Sequence, residues 1–183
     1  MDKLLNAEAA LLGLLAEKPM YPYQIEEVVK YRDMRFWTEL SMSSIYKLLQ
    51  KLEKKSLVER KNEISDKNRL RKLYNISTKG QKALAAKIKS LLIAPEHIRW
   101  QVDIGMYNLH LLPADVVINT LTDYKTGLQE KIQGYQNLLK FLKDSNCPTH
   151  RLSIAERPIF LLQAEFQWLK SFIEKFISEH SLK

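Results

Sequence analysis

The chain has 183 residues, 45% of them hydrophobic and 27% charged, with a net charge of +8. That is enough apolar material for a sizeable core, which excludes an intrinsically disordered chain. No apolar run approaches the ~20 residues of a membrane span, which excludes an integral helical membrane protein.

The charge is unevenly placed. Residues 1–90 hold 19 Lys and Arg against 11 Asp and Glu, and residues 91–183 hold 10 of each. Within residues 41–89 the ratio is 14 to 4. An excess confined to one half points to a polyanionic partner there, most simply nucleic acid. The single cysteine, Cys147, cannot form an intramolecular disulfide and fits a reducing compartment. Beside Pro148 in an expected loop, it reads as incidental rather than redox-active. The mixed start Met1-Asp2-Lys3-Leu4-Leu5 does not read as a signal peptide. A soluble, cytoplasmic protein is expected.

In chain order, Asn6 to Glu17 reads as a first helix, apolar on most sides and capped by Asn6. Lys18-Pro19 ends it, since the residue before a proline resists the helical conformation. Pro22 opens a second helix, where its missing N–H is not needed, and Ile25, Val28 and Val29 form its inner face. Residues 32–39 connect to a third helix over about 43–55, with Ser41 or Ser43 as its cap. Ile45, Leu48, Leu49 and Leu52 recur at i, i+3, i+4 and i+7, one apolar stripe. Its other face carries Ser44, Lys47, Lys51, Lys54 and Lys55.

Residues 56–61 and 70–76 read as two short strands joined by a polar turn over 62–69. Ser77-Thr78 begins a fourth helix, to about Ser90. Helix, helix, helix, hairpin, helix is the order of a winged helix-turn-helix. In that arrangement the third helix enters the major groove, so Ser43, Ser44, Tyr46 and Lys47 are the candidate contacts to base edges. Lys51, Lys54 and the wing residues Lys67, Arg69 and Arg71 are candidates for phosphates. Tyr23, at the start of the second helix, is expected near the backbone.

The residues Ala10-Leu11-Leu12-Gly13-Leu14-Leu15-Ala16-Glu17-Lys18-Pro19-Met20-Tyr21-Pro22-Tyr23-Gln24-Ile25 resemble the opening motif of PadR-family transcriptional regulators. Ser44-Ile45-Tyr46, the run from Leu49 to Val58 and the run from Arg71 to Gly80 are similar to later motifs of that family. The likeness spans residues 9–84. It implies a dimeric, ligand-responsive repressor, often of genes for drug efflux or for detoxifying small aromatic compounds. The sequence departs from the family pattern at Pro22, where the family has glycine, and at Met42-Ser43, where it has Pro-Gly. Lys47 stands in place of a proline, and Asp66-Lys67-Asn68-Arg69-Leu70 in place of a glycine-rich wing tip.

In the second half, residues 95–110 read as a helix and Pro113 starts a long one, with Asp115 favourably near its N-terminus. Asn146 to Thr149 is a loop. The last helix is expected over about 156–180. Its residues Ile159, Leu162, Phe166, Leu169, Ile173 and Phe176 alternate spacings of three and four, an unbroken coiled-coil seam. Leu161, Trp168 and Phe172 form a second stripe. Two apolar faces favour a homodimer interface over an intramolecular bundle, and the long-helix, loop, aromatic-helix pattern resembles the PadR subfamily with a larger C-terminal domain. Trp100, Tyr107, His110 and Trp168 are candidate contacts for a flat aromatic effector, although core packing is the commoner role for such residues.

His97, His110, His150 and His180 lack metal-ligand spacing, and there is no phosphate loop or catalytic-triad context. No catalytic residue, metal or cofactor is expected. The expectation is a mainly α protein. Residues 1–90 form a winged helix-turn-helix DNA-binding domain, and residues 91–183 form a helical dimerisation and effector domain. The partners expected are double-stranded DNA carrying a palindromic operator, a second copy of the chain and a small aromatic effector; no membrane partner is expected. The function expected is that of a sequence-specific transcriptional regulator, a repressor released by its effector. The rival is a nucleic-acid-binding or architectural protein without sequence choice, and a comparison of specific with nonspecific duplex affinity separates the two.

Overall fold

The structure, a computed structural model, describes residues 4–64, Asn68 and residues 70–180, with the backbone alone at Met42. The chain divides into two compact units, residues 1–97 and 98–183. The first contains helices α1 (Asn6–Glu17), α2 (Pro22–Tyr31) and α3 (Met42–Lys54), strands β1 (Val58–Ile64) and β2 (Leu70–Ile76), and helix α4 (Thr78–Ile93).

Each helix start has a local cause. Pro22 is the first residue of α2, and the Gln24 side chain accepts from the Tyr21 N–H at 3.0 Å. At α3 the Ser41 hydroxyl accepts from the Ser44 N–H at 3.2 Å, and the Ser44 hydroxyl accepts from the Ser41 N–H at 2.8 Å. The expected cap by Asn6 is not what forms. Asn6 is the first residue of α1, and the cap is Leu5, whose N–H donates to the Glu8 carboxylate at 3.0 Å.

Leu11, Leu12 and Leu15 of α1, Ile25 and Val29 of α2, and Ile45, Leu49 and Leu52 of α3 share one core with Met20, Tyr74 and Ile76. Fully burying each such aliphatic side chain contributes about 1.5–3 kcal/mol. The strands pair antiparallel, with Val58 opposite Ile76 and Ile64 opposite Leu70. Because pairing continues to the turn, β1 runs to Ile64 rather than stopping at Lys61. Met20 adds a third, one-residue strand: it exchanges both backbone hydrogen bonds with Tyr74 at 3.0 Å. Helix α4 starts at a Ser77 cap, whose hydroxyl accepts from the Gly80 N–H. A Cβ at Gly80 would stand 2.0 Å from the Leu57 carbonyl oxygen, so only glycine allows α4 to approach the start of the wing this closely.

The second unit contains α5 (Gln101–Tyr107), α6 (Ala114–Asp144) and α7 (Thr149–His180). Residues 95–100 lie outside any helix, so α5 is shorter than the expected 95–110; it begins where Asp103 falls in the first turn. Helix α7 starts at Thr149 and not near Glu156. Pro158 lies inside it and leaves the Ile154 carbonyl without its intrahelical donor. Linked by four residues, α6 and α7 form an antiparallel hairpin, with the Tyr124 hydroxyl 3.2 Å from the Glu165 carboxylate. Leu169 and Ile173 are buried with Val117, Leu121 and Leu128 of α6, and Leu162, Phe166 and Phe176 pack against the same cluster. Ile159 is buried as well. This corrects the assignment of the seam to a partner chain, because α6 of the same chain covers it. A 3-4 spacing specifies a helical neighbour but not which chain supplies it. Among the described residues no helix is long and apolar enough to cross a membrane.

Candidate nucleic-acid interface

Burying Ile45, Leu49 and Leu52 turns the opposite side of α3 to solvent. Ser43, Tyr46, Lys47, Gln50 and Lys54 are all exposed there. At 100° per residue they fall in one stripe. Gln50, at its centre, was not among the candidates from the sequence, although its spacing of three from Lys47 and four from Tyr46 and Lys54 is readable there. Tyr46 is 54% exposed and Tyr23 is 46% exposed.

Two other candidates on α3 have internal duties. The Ser44 hydroxyl donates to the Ser41 carbonyl at 2.7 Å while accepting from its N–H, so it closes the cap instead of facing a base. Lys51 reaches back to Glu8, 2.9 Å away, and Lys55 reaches the same oxygen at 3.3 Å. Glu8 is fully buried. Burial alone would raise its pKa, but the bond from Lys51, the Leu5 N–H and the Lys55 charge outweigh it and hold the carboxyl below its ordinary value near 4.5. Lys51 therefore fastens α3 to α1, a structural role the sequence reading did not give it.

Beside α3 an open groove of about 450 Å³ is lined by Tyr21, Pro22, Tyr23, Tyr46, Leu70, Arg71 and Lys72. Tyr21 and Tyr23 stack with centroids 5.7 Å apart, and the Arg71 guanidinium lies over both rings at 5.8 and 5.9 Å. The Tyr21 hydroxyl donates to Glu63 of β1 at 2.6 Å. That bond, reinforced by Lys61, holds the Glu63 carboxyl below its ordinary range and raises the Tyr21 phenol. The candidates Lys67 and Arg69 lie outside the described residues, as do Ser65 and Asp66 of the expected turn.

This unit matches the family model described as "Transcriptional regulator PadR-like family" over residues 11–86. Through these residues the first unit is similar to the PadR-like family. No curated protein matches the sequence. Among solved structures, the chain is similar to Bacillus subtilis PadR in complex with operator DNA at 20% identity and a TM-score of 0.74, covering 92% of this chain and 98% of that one. It is similar to B. subtilis PadR in complex with p-coumaric acid at 20% identity and a TM-score of 0.75, covering 96% and 98%. The Vibrio cholerae virulence activator AphA gives 15% identity and a TM-score of 0.65, covering 94% and 99%. At these identities the likeness is one of fold, and it extends through both units.

The four effector candidates all lie in its second unit. Tyr107 is 84% exposed, Trp100 47% and Trp168 44%, and His110 is exposed too. They stand on the surface. Trp168 heads a row of rings on α7, followed by Phe172, Phe176 and His180.

Proposed function

We propose that the chain is a sequence-specific DNA-binding transcriptional regulator and not an enzyme. It acts as a homodimeric repressor on a palindromic operator and is released by a small aromatic effector. The observation that carries this reading is the exposed stripe Ser43, Tyr46, Lys47, Gln50 and Lys54, on a helix whose other face is buried, beside a basic wing. Tyr46, Gln50, Lys47 and Ser43 take the base edges, where a glutamine pairs with adenine through two hydrogen bonds. Lys54, Tyr23 and Arg71, with Lys67 and Arg69, meet phosphates. The operator-bound and p-coumarate-bound structures of B. subtilis PadR, a protein of the same fold, support both halves of the proposal.

The dimer rests on apolar surface that one chain leaves in water. With the seam closed against α6, Leu161 and Trp168 of the second stripe stay 42% and 44% exposed, whereas Phe172 packs against the α6–α7 cluster; Ile154, on the same side, is 42% exposed. Exposed apolar side chains recurring at this spacing support an interaction surface on that side. Trp100, Tyr107, His110 and Trp168 become an effector pocket only when a second surface encloses them, and a dimer supplies one.

The test uses the DNA upstream of the protein's own coding region as probe. At one stated salt concentration, that duplex should bind at least ~1,000-fold more tightly than a scrambled one. Equal affinities would favour an architectural protein instead.

A further inference from the structure

The DNA-binding reading gives no task to Tyr21 or Glu63, yet the Tyr21 hydroxyl, at the start of α2, donates to Glu63 of the wing at 2.6 Å. The base of the wing is already pinned by the paired backbones of Met20 and Tyr74. Tyr21, the next residue, sends its hydroxyl to Glu63, one residue before the end of β1. Glu63 lies directly across from Arg71 of β2, and Arg71 rests on the rings of Tyr21 and Tyr23. Both wing strands are thus tethered to the start of α2, one by a charge-assisted hydrogen bond and one by a cation over two rings. A carboxylate on a face meant for phosphates needs a reason. As a bare charge it would only repel DNA.

We infer that Tyr21 and Glu63 form a latch that sets the wing against α2 and so positions the wing cations for the DNA backbone. The inference deepens the DNA-binding reading and rests on it. Tyr21 and Glu63 are positioning residues: they hold Arg71 and its strand, while Arg71 makes the contact. A two-stranded ribbon is marginal by itself, so a tether near its tip sets how much of the DNA-bound geometry exists beforehand.

The latch and simple repulsion predict opposite signs. If the latch operates, Glu63→Ala and Tyr21→Phe each weaken operator binding about three- to tenfold, and the double variant is no weaker than either single one. The log–log salt slope falls by about one, as a wing phosphate contact is lost. Glu63→Gln, whose amide oxygen still accepts from the phenol, binds close to wild type. If Glu63 merely repels DNA, Glu63→Ala and Glu63→Gln both tighten binding and Tyr21→Phe does nothing, which would overturn the latch. Amide exchange on the DNA-free protein supplies an independent arm. Tyr21→Phe should speed exchange severalfold at residues 62–64 and 70–72 and leave α1 and α3 unchanged; unchanged exchange at the wing would also overturn it. A wild type without preference for its own upstream DNA brings down the regulator reading. A wild type that has the preference, with variants that match it, sinks the latch alone.

Discussion

Glu8 and its two lysines permit a prediction in which removing different members of one cluster gives opposite pH dependences. In the native protein the buried carboxylate accepts from the Leu5 N–H, Lys51 and Lys55. Replacing both lysines with methionine keeps their aliphatic length and leaves the anion with one backbone donor. Stripping a buried charge of its partners costs about 3–5 kcal/mol. Protonation sets a ceiling on that cost. At pH 7 a carboxyl whose ordinary value is near 4.5 can be protonated for about 3.4 kcal/mol, and at pH 5 for about 0.7 kcal/mol. The double variant should therefore lose about 3 kcal/mol at pH 7 and recover most of it at pH 5.

The native protein runs the other way. Its Glu8 is held below the ordinary value, so the stabilisation is complete above about pH 4.5 and is lost as pH falls through the lowered value. In the variant the carboxyl rises above the ordinary value, so stability is lost as pH climbs from about 4.5 toward the raised value. Glu8→Gln in the double-lysine background removes the stranded charge and should restore stability at pH 7. Urea unfolding at pH 5, 6 and 7, with slopes checked for constancy, measures all three proteins. If the double-lysine variant is as stable as wild type at pH 7, or less stable at pH 5 than at pH 7, the cluster does not hold α1 to α3.

Gly80→Ala gains up to about 1 kcal/mol of helix propensity, but its methyl meets the Leu57 carbonyl. It should lose about 2 kcal/mol net and about 10 °C of melting temperature, whereas Gly13→Ala, with nothing within 4 Å of its Cβ, should be neutral or stabilising. In operator binding, Lys47→Ala with Lys54→Ala should lower the log–log salt slope by about 2 per protomer, while Lys51→Ala leaves the slope unchanged and lowers stability instead. Leu161→Glu with Trp168→Glu should shift gel filtration toward a monomer, and a dimer persisting at micromolar concentration would show that this face of α7 is not the interface.

The order of elements was legible because each boundary has a short-range cause: Pro22 at the start of α2, Ser41 at the cap of α3, Ser77 at the cap of α4. The inner stripe of α3 was legible because one period of 3.6 accounts for it. What escaped was long-range. On a helical wheel Lys51 looks like Lys47 or Lys54, and nothing within its own helix reveals a buried acid 43 positions earlier. Tyr21 and Glu63 are 42 positions apart, and their meeting depends on the Met20–Tyr74 bridge, too short to show a strand pattern. The seam of α7 was read correctly as a seam, but its spacing is the same whether the covering helix belongs to this chain or to another. The start of α7 was placed about seven residues late, because the seam begins only at Ile159, whereas the helix starts at Thr149.

These placements change what the basic half offers to DNA. The ratio of 14 cations to 4 acids over residues 41–89 overstates the charge that faces a phosphate. Lys51 and Lys55 neutralise Glu8, Arg60 lies 3.4 Å from Glu53, and Lys61 lies 3.0 Å from Glu63. Those cations hold α1, α3 and the wing together, and they release few counterions when a duplex arrives. In the proposed complex the stripe of α3 and the wing residues Arg71 and Lys72 face the DNA, beside elements held in place by the neutralised set. A basic surface of unassigned lysines would bind any duplex and lose affinity steeply with salt. A smaller set of cations, positioned by buried and latched acids around Tyr46 and Gln50, binds less strongly through charge and owes more of its affinity to base edges. That division, more than net charge, is what separates a regulator that selects its site from a protein that coats DNA.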